Sequence, residues 1–316
     1  MFDVVSLGEL LIDFTCLSTD SDGYPTMAAH PGGAVANFLA ALTKFGAKTA
    51  LIGKVGSDAF GKMLLGTLEK AGIDTQSMVI DDSVFTTLAF VTLDHTGDRA
   101  FSFSRKPGAD TQLCFDEIDL ARIDQTRAFH FGTLSLTDEP AKTATRKVIA
   151  YAKAQNKLIT FDPNLRKPLW RSLDDAREQM LWGLQQADVV KISDEEVEFL
   201  FGLGVEDGAQ HILSTYGVQL VFVTCGADGC FFSNRKAQGH VPSLPGINVV
   251  DTTGAGDIFG GSAVWKLLQL DAAPGDLDET ALRDVVHFAC TAAGLSTTKH
   301  GGISSVPTLE EIESCL

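Results

Sequence analysis

Asp251-Thr252-Thr253-Gly254-Ala255-Gly256-Asp257 is the stretch from which this chain is best read. Before it, Ile247, Val249 and Val250 read as the end of a strand. After it, Ile258 to Leu270 reads as an apolar helix. The glycines are therefore expected at a strand-to-helix turn. The first N–H groups of a helix have no intrahelical partner, and the helix dipole adds partial positive charge there. Such a turn can accept a phosphate or a developing phosphoryl charge. Gly254 and Gly256 would let backbone close on an anion, because no Cβ intervenes. Asp257 would set a carboxylate beside that hole, where phosphate repels it unless it has work to do. The obvious work is to take a proton from an attacking hydroxyl. The plainer alternative is a helix N-terminus with a favourable acidic residue.

Working outward, strands and helices alternate. Asp3 to Leu11 reads as a buried first strand, continued by Ile12-Asp13-Phe14, and Ser18 to Pro25 as a loop or small hairpin off the main body. Pro31-Gly32-Gly33 opens a helix over about Ala34 to Phe45, ended by Gly46. Ala47 to Lys54 is a strand, and Asp58 caps a helix that Gly72 ends. Gly56-x4-Gly61-Lys62 mimics a phosphate-binding loop, but Met63 stands where Ser or Thr is needed, so that reading is set aside. Thr86 to Leu93 and Arg99 to Arg105 form a hairpin around Asp94–Asp98. Its second strand alternates Phe101, Phe103 and Arg105 with Ser102 and Ser104, which suits a solvent-facing lid with a guanidinium at its end. Helices are expected at 139–154, 173–186, 194–201, 206–216 and 278–297, and strands at 157–161, 189–192 and 220–224. This is a doubly wound α/β pattern, in which ligands bind beyond the carboxyl ends of the strands. Asp13, Asn164, Thr224 and Asp257 are all expected to follow strands and fall on that edge.

The 316 residues carry 25 Lys+Arg against 41 Asp+Glu, a net charge of −16. That balance argues against nonspecific binding to nucleic acid or an anionic membrane surface. An anionic substrate must then be held by a local cluster against the global field. The six cysteines form no CxxC pair and read as thiols in a reducing compartment. No signal-like N-terminus and no uninterrupted apolar run of spanning length is apparent, so a cytoplasmic location is expected.

The seven-residue string resembles the C-terminal signature of the ribokinase-like (PfkB) sugar kinases. In that family the Gly-Ala-Gly turn is the anion hole and the aspartate the catalytic base, which here implicates Gly254, Ala255, Gly256 and Asp257. Further patches follow in family order. Pro31 to Asn37, running on through Ile52 to Gly61, resembles the N-terminal signature and implies sugar contacts from Gly32, Gly33 and Asn37. Gly8 to Asp13 implies that Asp13 accepts bonds from sugar hydroxyls. Asp162-Pro163-Asn164-Leu165-Arg166 resembles the DxNxR of fructokinases and 2-keto-3-deoxygluconate kinases, with Asn164 toward the sugar and Arg166 toward the phosphoryl group. Arg105 matches a lid arginine that touches substrate. On the nucleotide side, Ser193 and Glu196 occupy the place of an NxxE motif, with Ser193 where asparagine is usual, and Glu196 would act on hydrated magnesium. Thr224, Gly226 and Gly229 resemble a TxGxxG turn near the nucleotide, which Gly254 and Gly256 would also face. A potassium site is implied at Asp251, Thr253, Ser296, Lys299, Gly301 and Ser305.

The resemblance spans residues 3 to 310. It implies one ribokinase-like domain over 1–316: a mostly parallel sheet with helices on both faces, plus a small β lid from about 13–30 and 86–106. A homodimer through that lid is a further expectation. The implied activity is ATP-dependent phosphorylation of a ketohexose at its primary hydroxyl, with magnesium and potassium as cofactors. Gly8 to Phe14, Pro31 to Asn37, Phe103 to Asp110, Asp162 to Trp170 and Lys191-Ile192-Ser193 read like fructokinase segments, so D-fructose to D-fructose 6-phosphate is favoured. The alternatives are a 2-keto-3-deoxygluconate kinase, another sugar or nucleoside kinase of this type, or a non-catalytic sugar sensor. An intact Asp257 argues against the sensor. A dinucleotide oxidoreductase is excluded because no GxGxxG follows the first strand.

Overall fold

The computed structural model describes residues 1–93 and 99–316, with side chains at all of these except 92, 93 and 99–101. The expected turn Asp94–Asp98 and the side chain of Phe101 lie outside the described residues. The first elements are β1 (Phe2–Leu7), β2 (Leu11–Thr19), β3 (Pro25–Gly32), α1 (Ala34–Lys44), β4 (Thr49–Gly56), α2 (Ala59–Ala71), β5 (Met78–Asp81), β6 (Leu88–Leu93) and β7 (Arg99–Ser104). Next come α3 (Ala121–Asp124), β8 (Thr126–Gly132), α4 (Ala141–Ala154), β9 (Leu158–Asp162), α5 (Leu173–Gln186), β10 (Val189–Ser193), α6 (Asp194–Phe201) and α7 (Val205–Tyr216). The chain finishes with β11 (Leu220–Thr224), β12 (Cys230–Asn234), β13 (Gln238–Val241), α8 (Ala255–Leu267), α9 (Glu279–Ser296) and α10 (Leu309–Glu313).

Among the described residues, nine strands make the main sheet, in the order β13-β12-β11-β10-β9-β8-β1-β4-β5. From β5 to β11 every pairing is parallel; β12 and β13 add an antiparallel edge. Parallel strands joined through helices must be covered on both faces, which is why they are almost continuously apolar. α4 to α7 pack one face through Val148, Met180, Val197 and Ile212. α1, α2, α8 and α9 pack the other through Phe38, Leu64, Ile258 and Phe288. Helix ends obey local chemistry. Asp58 accepts from the N–H groups of Phe60 and Gly61 at the start of α2, and Gly72 closes that helix in the left-handed region at φ 84.

Two expectations about strands are corrected. Asp3 to Phe14 is not one strand. β1 ends at Leu7, and β2 joins a second, four-stranded sheet in the order β3-β2-β6-β7. Gly8-Glu9-Leu10 turns the chain between them, because Glu9 folds inward and accepts the Ala34 N–H at 2.6 Å. The second sheet therefore hangs from the carboxyl edge of the main one. Ser18 to Pro25 is the tip of its β2–β3 hairpin.

Ile247 to Val250 is not a strand either. The main sheet has already ended at β13, and the N–H groups of Val250 and Asp251 both bond to Thr297 O, at 2.8 and 3.0 Å. One carbonyl at the end of α9 thus takes the hydrogen bonds that a neighbouring strand would need. Asp257 follows a pinned loop, and Asp13 lies within β2 rather than after a strand.

Candidate active site

The glycine turn begins α8 as expected, for reasons that differ from residue to residue. Gly254 is the N-cap at φ 76, a left-handed conformation that L side chains rarely adopt. A Cβ there would also press on the Gly302 backbone and the Asn37 amide. The N–H groups of Gly256 and Asp257 have no acceptor among the described residues, which leaves them for an anion. Deeper in α8, a Cβ on Gly261 would overlap Phe38 O, so the helix can lie close against α1. That close approach brings Asn37 Nδ2 to 2.9 Å from Asp257 Oδ2. Asn37 was expected at the sugar; it first orients the aspartate. Its Oδ1 is buried without a hydrogen-bond partner and remains an acceptor for a ligand donor.

Charges gather here. Asp257 is buried, and desolvation pushes its carboxyl above the usual range, opposed by the Asn37 bond, Lys191 and Arg166. Asp13 is pushed up to about 6, first by burial, with Arg166 pulling it down and Asp257 and Asp251 pushing it up. These effects place Asp13, Arg166, Asp251 and Asp257 within electrostatic reach of one another. Asp13 Oδ2 fills the space a side chain on Gly32 would need, and Gly33, at φ 126, packs on the Glu9 backbone. Gly32 thus makes room for the Asp13 carboxylate, and Gly33 for the chain turn at Glu9-Leu10. Arg166 is exposed, and among the described residues its one weak internal bond is to Leu165 O at 3.4 Å, which leaves most of its guanidinium open to a ligand. Asp162 Oδ1 accepts the N–H of Asn164, itself held at φ 47.

On the nucleotide side, Ser193 and Thr224 are register partners at the ends of β10 and β11. Ser193 and Glu196 form a capping box at the start of α6. Glu196 also reaches across, accepting from Leu165 N at 2.7 Å, so it ties the DxNxR loop to α6. Gly226 and Gly229 have φ 55 and 96, and a Cβ on Gly229 would overlap Val241 O. Asp251 secures the loop before α8: Oδ1 accepts from Thr253 N and Oγ1, and Oδ2 from Gly301 N at 3.0 Å. Ser296 Oγ donates to Ala293 O, Ser305 Oγ to Gly302 O, and Lys299 Nζ pairs with Glu311. A cation at that position would therefore rest mainly on backbone oxygens.

Arg105 departs from its expectation. It does not end a solvent-facing face but is buried. Its Nε and Nη2 bind Asp110 Oδ2 at 2.8 and 2.7 Å, Nη1 donates to Thr137 Oγ1, and Nη2 also to Leu134 O. Little of the guanidinium is left for a substrate. Conversely, two residues in the site went unremarked as functional in the sequence. Glu9, pushed up to about 7 chiefly by burial, caps α1. Lys191 places an ammonium 2.9 Å from Asp162 Oδ2. A charged residue inside the apolar run Val189-Val190-Lys191-Ile192 is the signal that could have found it.

A carboxylate held beside unclaimed helix N–H groups, with cations at hand in an acidic molecule, suits moving a phosphoryl group onto a hydroxyl. The molecule is thus a phosphotransferase in fold and site. Comparison with known proteins agrees. The profile of the pfkB family carbohydrate kinases matches residues 1–309. Fructokinase-1 of Zea mays is 41% identical over 313 residues, covering 98% of this chain and 96% of its own. The solved fructokinase of Xylella fastidiosa with bound ATP superposes with a TM-score of 0.91 at 30% identity, covering 100% of this chain and 98% of its own. A double-mutant fructokinase of Vibrio cholerae O395, with fructose, ADP and a potassium ion bound, gives 0.87 at 29%, with 100% and 98% covered. The chain belongs to the pfkB family of carbohydrate kinases. Among the described residues, no helix is long and apolar enough to cross a membrane.

Proposed function

We propose that the chain transfers the terminal phosphoryl group of ATP to the primary hydroxyl of D-fructose, giving D-fructose 6-phosphate and ADP. The observation that carries this reading is Asp257, oriented by Asn37 at a helix start whose next N–H groups are unclaimed. In the proposed step the sugar oxygen bonds to the γ-phosphorus as the bond to the β–γ bridging oxygen breaks. The bonding pair leaves with ADP, and the hydroxyl proton passes to the Asp257 carboxylate. The N–H groups of Gly256 and Asp257, with Arg166, meet the charge spread over the phosphoryl oxygens. Asp13 and the free Asn37 Oδ1 accept from sugar hydroxyls. Residues of about 13–30 and 86–106 act as the lid that carries Asp13 over the cleft.

Magnesium fits this site as a companion of the nucleotide. The described residues hold no cluster of three His, Cys, Asp or Glu side chains to cage an ion, so phosphates and water would be its ligands. Glu196 would reach it through water, since each carboxylate oxygen holds one backbone N–H and keeps capacity to accept another donor. When bound, the ion would offset charge on the β- and γ-phosphates. Potassium at the Asp251–Gly301 loop would stiffen the turn before α8.

The sugar reading rests on Asp13 and on Arg105 being spent. At about 4 Å and an effective dielectric of ~20, Asp13 would repel a sugar acid by about 4 kcal/mol. Of the two motif guanidiniums that could offset this, Arg105 is committed to Asp110 and Arg166 faces the phosphoryl group in the proposed step. ADP release measured over a sugar panel, with and without potassium, tests the reading. Fructose should exceed 2-keto-3-deoxygluconate in kcat/KM by at least ~100-fold, with faster turnover in potassium. Preference for the sugar acid would overturn the fructose assignment and leave the family standing; equal rates without potassium would remove the cation.

A further inference from the structure

Lys191 is buried in β10 with an incomplete set of partners. Its side chain keeps 13% exposure, and its ammonium bonds to Asp162 Oδ2 at 2.9 Å. No other acceptor among the described residues takes its remaining N–H groups. An ammonium carries three donors, so two are unclaimed. Nζ lies 3.0 Å from where a Cβ on Gly256 would be. The glycine at 256 thus makes room for this cation at the floor of the turn whose own N–H groups are open. Burying an ammonium with one acceptor is unfavourable, and an apolar residue of like volume would serve the strand better. The charged groups facing it from neighbouring elements are the acids Asp162 at the end of β9, Glu196 in α6 and Asp257 in α8, and the buried imidazole of His130 in β8 lies within its reach as well. The acids keep it charged but do not occupy its free donors.

We propose that Lys191 is a further catalytic residue, whose two unclaimed N–H groups bind oxygens of the phosphoryl group in transit above Gly256. It adds a fixed charge to the backbone donors and Arg166; the bonds made and broken are those given above, and the lysine gives up no proton. The role rests on the phosphotransfer reading but not on which sugar is used.

The test compares Lys191→Met with the double variant Lys191→Met/Asp162→Asn, which also removes the carboxylate that loss of the lysine would strand. In Lys191→Met, kcat should fall by about 10²–10³, the scale for losing one donor to a transition-state oxygen. Affinity for ADP should stay within about threefold, while affinity for ADP with aluminium fluoride, which mimics the phosphoryl group in transit, should fall by a factor like that in kcat. The double variant should regain thermal stability without regaining kcat. Recovery of kcat in the double variant, or undiminished aluminium fluoride binding in the single one, would reduce Lys191 to a structural partner of Asp162. A wild type that phosphorylates no sugar would instead overturn the functional reading, and this role with it.

Discussion

Two buried cation–carboxylate pairs serve this molecule differently. Arg105–Asp110 locks the root of the second sheet to the main body. Both side chains are 2% exposed, the guanidinium also binds Thr137 and Leu134 O, and Asp110 is bonded by Thr87 as well. Lys191–Asp162 lies under the Gly254–Asp257 turn, with 13% and 8% exposure and one acceptor for the ammonium among the described residues. Both pairs pay the desolvation cost of buried charge. The first recovers it within the protein, through a nearly complete set of hydrogen bonds. The second leaves donors open at the cleft, where a ligand can complete the set. Saturated pairs hold structure; unsaturated ones wait for chemistry.

The largest expected effect sharpens the second region. Asp257→Asn should lower kcat by roughly 10²–10⁴, the usual scale for removing a general base. The amide keeps a similar shape, so fructose affinity by calorimetry should persist. Near-normal turnover would mean the charge cluster around Lys191 does not serve a base.

Next comes the saturated pair. Arg105→Met strands Asp110 and should cost about 3–5 kcal/mol of stability, read by denaturant unfolding. The loss should fall on stability far more than on kcat per folded molecule. A kcat collapse with unchanged stability would return Arg105 to the substrate and erase the contrast between the pairs.

The smallest effect concerns Asp13. Asp13 titrates near 6 in the fold, raised first by desolvation, against about 3.9 in an unfolded chain. The folded state holds this proton more tightly, so Asp13 lowers stability as pH rises from about 4 through 6. Asp13→Asn should therefore raise stability by roughly 1–2 kcal/mol at pH 7 to 8, with the gain vanishing below pH 4. It should also weaken fructose binding more than ATP binding. Thermal melts across that range check the first part; a pH-independent gain would show that packing, not charge, is responsible.

The glycine-led start of α8 could be read directly, since Gly254 and Gly256 flanking Ala255 before an apolar run is local information. So could the caps at Asp58, Ser193 and Asp278, whose partners lie two or three residues away. The apolar run at 247–250 was misleading, because the N–H groups of Val250 and Asp251 go to Thr297 O at the end of α9 instead of to a strand. Arg105 and Arg166 looked alike as motif arginines. Only folding showed one saturated and the other open.

Apart from β5, β8, β12 and β13, which it did not show, the sequence by itself determined the alternation of strands and helices, most helix boundaries and the family. Those depend on periodicity and capping within a few residues of chain. Which charges meet was decided by the tertiary structure alone. Asn37 orients an aspartate 220 positions away, Lys191 lies beneath Gly256, and Glu196 bridges to Leu165. Such contacts depend on how closely α8 lies on α1 and where parallel strands end together. No local pattern carries that information, because hydrogen bonds and ion pairs are made in space.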